Sequence, residues 1–133
     1  MPYHFEFDSA NRIIRCWFEG PVGDENLKEY YRVAAKYFES LQPRAGIVDF
    51  SAATSFEVAP QTVRELAKLP PAMPHPERPR FVIAPSAQIF GMARMFELQG
   101  QETRPNLHVV RTAEEAWAIL GVQAPKFEPI KLK

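Results

Sequence analysis

Gly46-Ile47-Val48-Asp49-Phe50 is short, apolar and rich in β-branched residues. That composition predicts a buried strand within 44–50, reaching a polar residue near its end. On its N-terminal side, Leu27, Tyr30, Tyr31, Ala34, Phe38 and Leu41 recur every three or four residues. They form the apolar stripe of a helix from an Asp24 cap to about Leu41, with Pro43 at its exit. Earlier still, Tyr3, Phe5 and Phe7 alternate with His4, Glu6 and Asp8, the period of a half-buried strand. Asp8-Ser9-Ala10-Asn11 supplies turn residues, and Arg12 to Glu19 reads as a second strand, antiparallel to the first. Gly20-Pro21 is expected to stop it.

On the C-terminal side, Pro60 opens a helix whose Val63, Leu66 and Ala67 face the core, and Pro70-Pro71 closes it. The segment from Pro70 to Pro79 holds five prolines in ten residues, which predicts a stiff connecting loop. Phe81-Val82-Ile83-Ala84 is a fourth strand. Ser86 caps a helix from Ala87 to about Leu98, closed by Gly100. Leu107 to Arg111 is a fifth strand, and Thr112-Ala113-Glu114-Glu115 is a capping box for a last helix ending at Gly121. Strands alternating with helices predict an α/β fold with a mostly parallel sheet. The expectation is five strands, one of them an antiparallel edge strand, with four helices. One domain would span 1–121, and 122–133 would be an irregular tail.

The 133-residue length suits one domain. Sixteen basic against sixteen acidic side chains give a formal charge of zero, which supplies no field to attract nucleic acid. The single cysteine, Cys16, excludes an internal disulfide framework. The opening MPYHFEFDSANR has neither the basic region nor the apolar stretch of a secretory leader, and no apolar run approaches a membrane span. A soluble cytoplasmic protein is the expectation.

Ligands of open α/β sheets meet the carboxyl ends of the strands. The predicted polar rim is Asp49, Ser51, Ser86 and Thr112, with Thr54, Ser55 and Glu57 in the adjoining loop. Ser86 and Thr112 also serve as helix caps, and Asp49 suits a loop-holding hydrogen bond as well as acid–base work. A serine or cysteine nucleophile needs a histidine base in reach. His4 and His108 fall in strands, His75 in the proline loop, and Cys16 in mid-strand. Phosphate-cradle and metal-ligand spacings are missing from the sequence. The expectation is a non-enzyme without cofactor or metal. The third helix, with Ile89, Phe90, Met92, Ala93, Met95 and Phe96, leaves little polar face beyond Gln88, Arg94 and Glu97. It must be covered on more than one side, by the sheet and by a neighbouring helix, a partner, an apolar ligand or the tail. The candidate ligand or partner surface is therefore Asp49, Ser51, Ser55, Glu57, Ser86, Phe90, Arg94 and Met95.

Taken in order, several pieces resemble the SpoIIAA-like family, the fold of STAS domains. They are Arg12-Ile13-Ile14 with Gly20, Gly46-Ile47-Val48-Asp49-Phe50-Ser51, Phe56-Glu57-Val58, Arg80-Phe81-Val82-Ile83-Ala84-Pro85, Gly91-Met92-Ala93-Arg94-Met95-Phe96, and Val110 through Leu120. The resemblance spans 3 to about 121. It implies a non-catalytic regulatory or protein-interaction module. Family members acting as anti-sigma factor antagonists carry a phosphorylatable serine at a helix N-terminus. Here the corresponding Phe56-Glu57-Val58-Ala59-Pro60 has no hydroxyl, with Thr54 and Ser55 out of register. The switch is not carried over, and Glu57 is left as a fixed charge near that helix. The fold is also similar to that of CRAL-TRIO lipid-transfer domains, which implies the alternative of a small carrier of an apolar or lipid-like ligand.

The second strand is apolar on both faces, Ile13 and Trp17 opposing Ile14, Cys16 and Phe18. One set enters the core. The other needs a cover, either the tail through Val122, Phe127, Ile130 and Leu132, or a second copy. A homodimer with the tail contributing is the expectation.

Overall fold

The structure, a computed structural model, describes residues 3–130. The elements are β1 (Tyr3–Asp8), β2 (Ile13–Gly23), α1 (Asp24–Leu41), β3 (Ala45–Glu57), α2 (Pro60–Lys68), β4 (Arg80–Ile83), α3 (Ala87–Gln99), β5 (Leu107–Val110), α4 (Ala113–Leu120) and β6 (Glu128–Pro129). One sheet runs in the order β5-β4-β3-β2-β1-β6. The β2–β3, β3–β4 and β4–β5 pairs are parallel, while β1 pairs antiparallel with β2 and β6. The α/β class, the mostly parallel sheet and the four helices match the sequence reading.

The strand count does not. The sheet has six strands, because part of the tail is regular: Glu128 pairs with Phe7, and Pro129 with Glu6. β1 is therefore interior, and the antiparallel edge strand is β6. A bare β1 edge would leave backbone donors and acceptors in want of partners, and the tail supplies them. Proline is tolerated in β6 because an edge strand does not use every N–H.

Gly20-Pro21 does not stop β2 either. The strand bulges there and stays paired with β3 as far as Gly23 and Glu57. Gly20 has φ +73°, a left-handed conformation that costs glycine little. Helix α1 is capped differently from the expectation. Gly23 occupies the cap position, Asp24 is the first helical residue, and the Asn26 Oδ1 accepts the Gly23 N–H at 2.8 Å.

The alternation along β2 sorts its side chains between two cores. Ile14, Cys16 and Phe18 join Leu27, Ala34 and Tyr37 of α1, Val63 and Leu66 of α2, and Ile89 and Ala93 of α3. Ile13 joins Ile47, Phe81, Ile83 and Val110 under Ala116 of α4 and Val122. Three helices thus cover one face of the sheet, and α4 with the tail covers the other. Ile13 is completely buried. Phe127 packs with Trp117 and lies under the Arg15 guanidinium, 4.3 Å from its carbon to the ring centroid. Trp17 stacks on His4 at 4.3 Å. The tail then crosses the sheet edge, where the Ile130 N–H donates to the Phe5 carbonyl at 3.1 Å. The face that called for a second copy is covered from within the chain. Leu132, also expected in that cover, lies outside the described residues.

Asp8 pins the turn between β1 and β2 to this tail. It is buried, and Asn11 donates to it from its side chain at 2.8 Å and from its backbone at 3.1 Å. Burial alone would raise its pKa. The Asn11 bonds, with the amides of Lys126 and Ala10, outweigh that and hold it below the usual carboxylate value. A carboxyl more acidic when folded than when unfolded contributes stability above about pH 4 and loses it as the pH falls through the folded value. Thermal melts from pH 7 to pH 3 should show this loss in the native protein. Asp8→Asn should be less stable at pH 7, and the gap should narrow with acidification; a constant gap would assign Asp8 no role in acid sensitivity.

Candidate functional site

Between the sheet and α1, α2 and α3 lies a cavity of about 150 Å³. Its floor is Gly46, Val48, Phe50, Val82 and Leu107 from the parallel strands. Gly46 contributes depth. A Cβ there would stand 3.6 Å from the Phe38 ring, in space now shared with the cavity wall. α1 lends Leu27, Tyr30, Tyr31 and Phe38, α2 lends Val63 and Leu66, and α3 lends Ile89, Met92, Ala93 and Phe96. Ala72 and Met73 of the proline loop close one side. The nearly all-apolar third helix is thus explained: its inner side meets the sheet, α2 and this cavity. A space of about 150 Å³ lined by such groups holds one benzene-sized ring.

The polar groups on the wall are Tyr30, Tyr31, Arg80 and Arg104. Arg104 is only 4 % exposed. Its Nη1 donates to the Ala67 carbonyl at 2.9 Å and to Thr103 Oγ1 at 3.1 Å. Its Nη2 donates to the Leu69 carbonyl at 3.1 Å and to the Tyr31 hydroxyl. These carbonyls end α2, so the guanidinium sits at the negative pole of that helix. It also lies 4.8 Å from the Phe96 ring centroid. Arg80 gathers the proline loop, donating from Nη1 to the Met73 carbonyl at 3.0 Å and from Nη2 to the His75 carbonyl at 2.6 Å. Burial, and then the charge of Arg104, lower the Arg80 pKa. Burial raises the Tyr30 and Tyr31 phenols, while the arginines pull in the opposite direction.

None of the eight residues of the expected surface lines this cavity. Asp49 is buried, and its Oδ1 accepts the Ser51 N–H at 2.8 Å, the loop-holding alternative. Because β3 continues to Glu57, neither Asp49 nor Ser51 marks a strand end; Thr54, Ser55 and Glu57 lie along the strand rather than in a loop. Ser86 caps α3, its Oγ accepting the Ile89 N–H at 3.2 Å. Ser86→Ala should therefore cost about 1 kcal/mol in chemical denaturation; an unchanged midpoint would mean that other contacts hold the start of α3. Phe90 lies under the Arg111 guanidinium at 4.3 Å, and Arg94 pairs with Glu97. Met95 is partly buried against the main core. The carboxylate at the N-terminal turn of α2 is Asp24, whose Oδ1 accepts the Ala59 N–H at 2.9 Å; Glu57 is exposed.

The groups that do meet were hidden in the sequence for separate reasons. Tyr30 and Tyr31 belong to an ordinary apolar stripe. Arg80 stands before an apolar strand, where a surface charge is usual. Arg104, between Thr103 and Pro105, carries no motif. No protein-family model and no curated protein matches the chain. Among the described residues no cluster of three or more His, Cys, Asp or Glu side chains is placed to hold a metal, and no helix is long and apolar enough to cross a membrane.

Proposed function

We propose that this chain is a STAS-like, non-catalytic binding domain whose cavity takes a small apolar ring or a short acyl chain. The observation that carries this reading is the cavity itself, nearly all apolar, partly open, and walled by the sheet, three helices and the proline loop. Volume sets the ligand class: a space for about six carbons excludes a two-chain lipid. The non-catalytic part is supported by the lining, which among the described residues contains no serine, threonine, cysteine, histidine or carboxylate to form a nucleophile and base. The STAS-like part is supported by the order of elements and the parallel pairing from β2 to β5. Without a hydroxyl in residues 56–60, such a domain would act by holding a ligand rather than by phosphorylation.

Native mass spectrometry of freshly purified protein, followed by titration with toluene, tests the reading. A saturable site is expected, with shifts of cavity-lining amides in NMR spectra. Ala93→Leu puts a larger side chain on the α3 wall, where Ala93 is buried. It should weaken toluene binding at least tenfold, by roughly the displacement of a ring-sized volume, and cost no more than about 3 kcal/mol in stability. Undiminished binding in Ala93→Leu would place the site elsewhere, and no binding in the native protein would end the proposal.

A further inference from the structure

We propose that the molecule held in this cavity is a monocarboxylate, its apolar body on the sheet floor and its carboxylate received by Arg80, Arg104 and the Tyr30 hydroxyl. The inference rests on the cavity-binding reading and adds the chemistry of the ligand's head.

The first observation is a charge imbalance. Two guanidiniums border one apolar space, and among the described residues no acidic side chain lines it. Neither arginine is ion-paired among the described residues. Their partners are neutral carbonyls and hydroxyls, which orient the cations without cancelling their charge. Arg104 is the one removed from water, and such a cation is ordinarily paired; Arg80 beside it is half-buried. A bound anion would complete this pair.

The second observation is a set of unused donors. The Arg104 bonds all leave from Nη1 and Nη2, so its Nε–H has no partner among the described residues. Arg80 Nη1 makes one bond and keeps a second N–H. The Tyr30 hydroxyl makes no hydrogen bond among the described residues. It is not sealed into the packing, since no enclosed side-chain polar atom lacks a partner there, and Tyr30 lines the cavity. Tyr30, Arg80 and Arg104 line the same apolar space, and both arginines act electrostatically on the Tyr30 phenol. Donors so grouped fit a carboxylate, whose two oxygens accept such bonds at roughly twice the strength of neutral acceptors. The volume selects an aromatic or short-chain acid of about six carbons beyond the carboxyl.

Calorimetric titration with phenylacetate, phenylacetamide and toluene tests this on the native protein, Tyr30→Phe and Arg80→Met. Phenylacetate should bind at least about tenfold more tightly than phenylacetamide. Tyr30→Phe, nearly isosteric, should reduce that preference severalfold and leave toluene unchanged. Arg80→Met should reduce it further, and melting curves would check that the proline loop survives. Equal affinity for acid and amide, with toluene bound, would overturn the carboxylate assignment and leave the apolar site standing. A preference for acid that persists in both variants would overturn the assignment of these donors. Failure of all three ligands to bind would overturn both readings.

Discussion

Arg104→Met is expected to lower the folding stability by about 3–5 kcal/mol, more than any other single side-chain change considered for this protein. Three things happen together. The Ala67 and Leu69 carbonyls at the end of α2 lose their donors, as does the Tyr31 hydroxyl. A hydrogen bond to a charged group contributes about 1.5–3 kcal/mol, and buried acceptors left bare keep their desolvation cost. The favourable charge at the C-terminal pole of α2 disappears as well. The surroundings are built for this group: a Cβ on Gly100 would stand 3.2 Å from Arg104 Nη1 and 3.3 Å from the Phe96 carbonyl. Methionine retains the stem packing, so the loss reads the guanidinium itself. Arg104→Lys should recover less than half, because an ammonium cannot fork to carbonyls on two sides. Urea denaturation of the three proteins checks both statements. A loss under about 1 kcal/mol for Arg104→Met would mean that the α2 terminus is held by other contacts.

Ending the chain at Gly121 should cost about 3 kcal/mol and about 10 °C in melting temperature. The truncation removes Val122 and Phe127 from the second core, uncovering Ile13, and takes Glu128 and Pro129 off the edge of β1. It also removes the Lys126 amide that acts on Asp8. A fully buried branched side chain contributes about 1.5–3 kcal/mol, and Ile13 would keep only its cover from α4 and strand neighbours. The new surface is apolar and adjoins an open strand edge, the combination that favours edge-to-edge association. Light scattering should therefore show the shortened chain self-associating more strongly than the full chain. An unchanged melting temperature and mass would show that the tail covers nothing of energetic weight.

Legibility in the sequence followed the range of the interactions concerned. The period of two in Tyr3-Phe5-Phe7, the stripe along α1, and the Ser86 and Thr112 caps are local patterns, and the structure contains them. Cap bonds close within three residues, Thr112 Oγ1 accepting the Glu115 N–H at 3.3 Å, so neighbours in sequence suffice to specify them. The bulge at Gly20 was harder. A Gly-Pro pair marks a stop or a bend equally well, and the long partner β3 selects the bend. The tail's strand was harder still, since Glu128 and Pro129 have no strand propensity and pair only because β1 offers an edge.

The α/β class, the order of helices and strands through α4, the two-sided apolar character of β2 and the lack of a hydroxyl between 56 and 60 are all legible without the fold. Each depends on residue type and spacing along the chain. Which polar groups border the cavity depends on the packing of distant segments. Tyr30 and Arg104 are seventy-four positions apart, and Arg80 belongs to a different element from either. They border one cavity because β4 and β5 pair in parallel beside β3 while α1 packs on the same face. Cavities and uncompensated charges arise from packing between distant segments, and no periodicity encodes them.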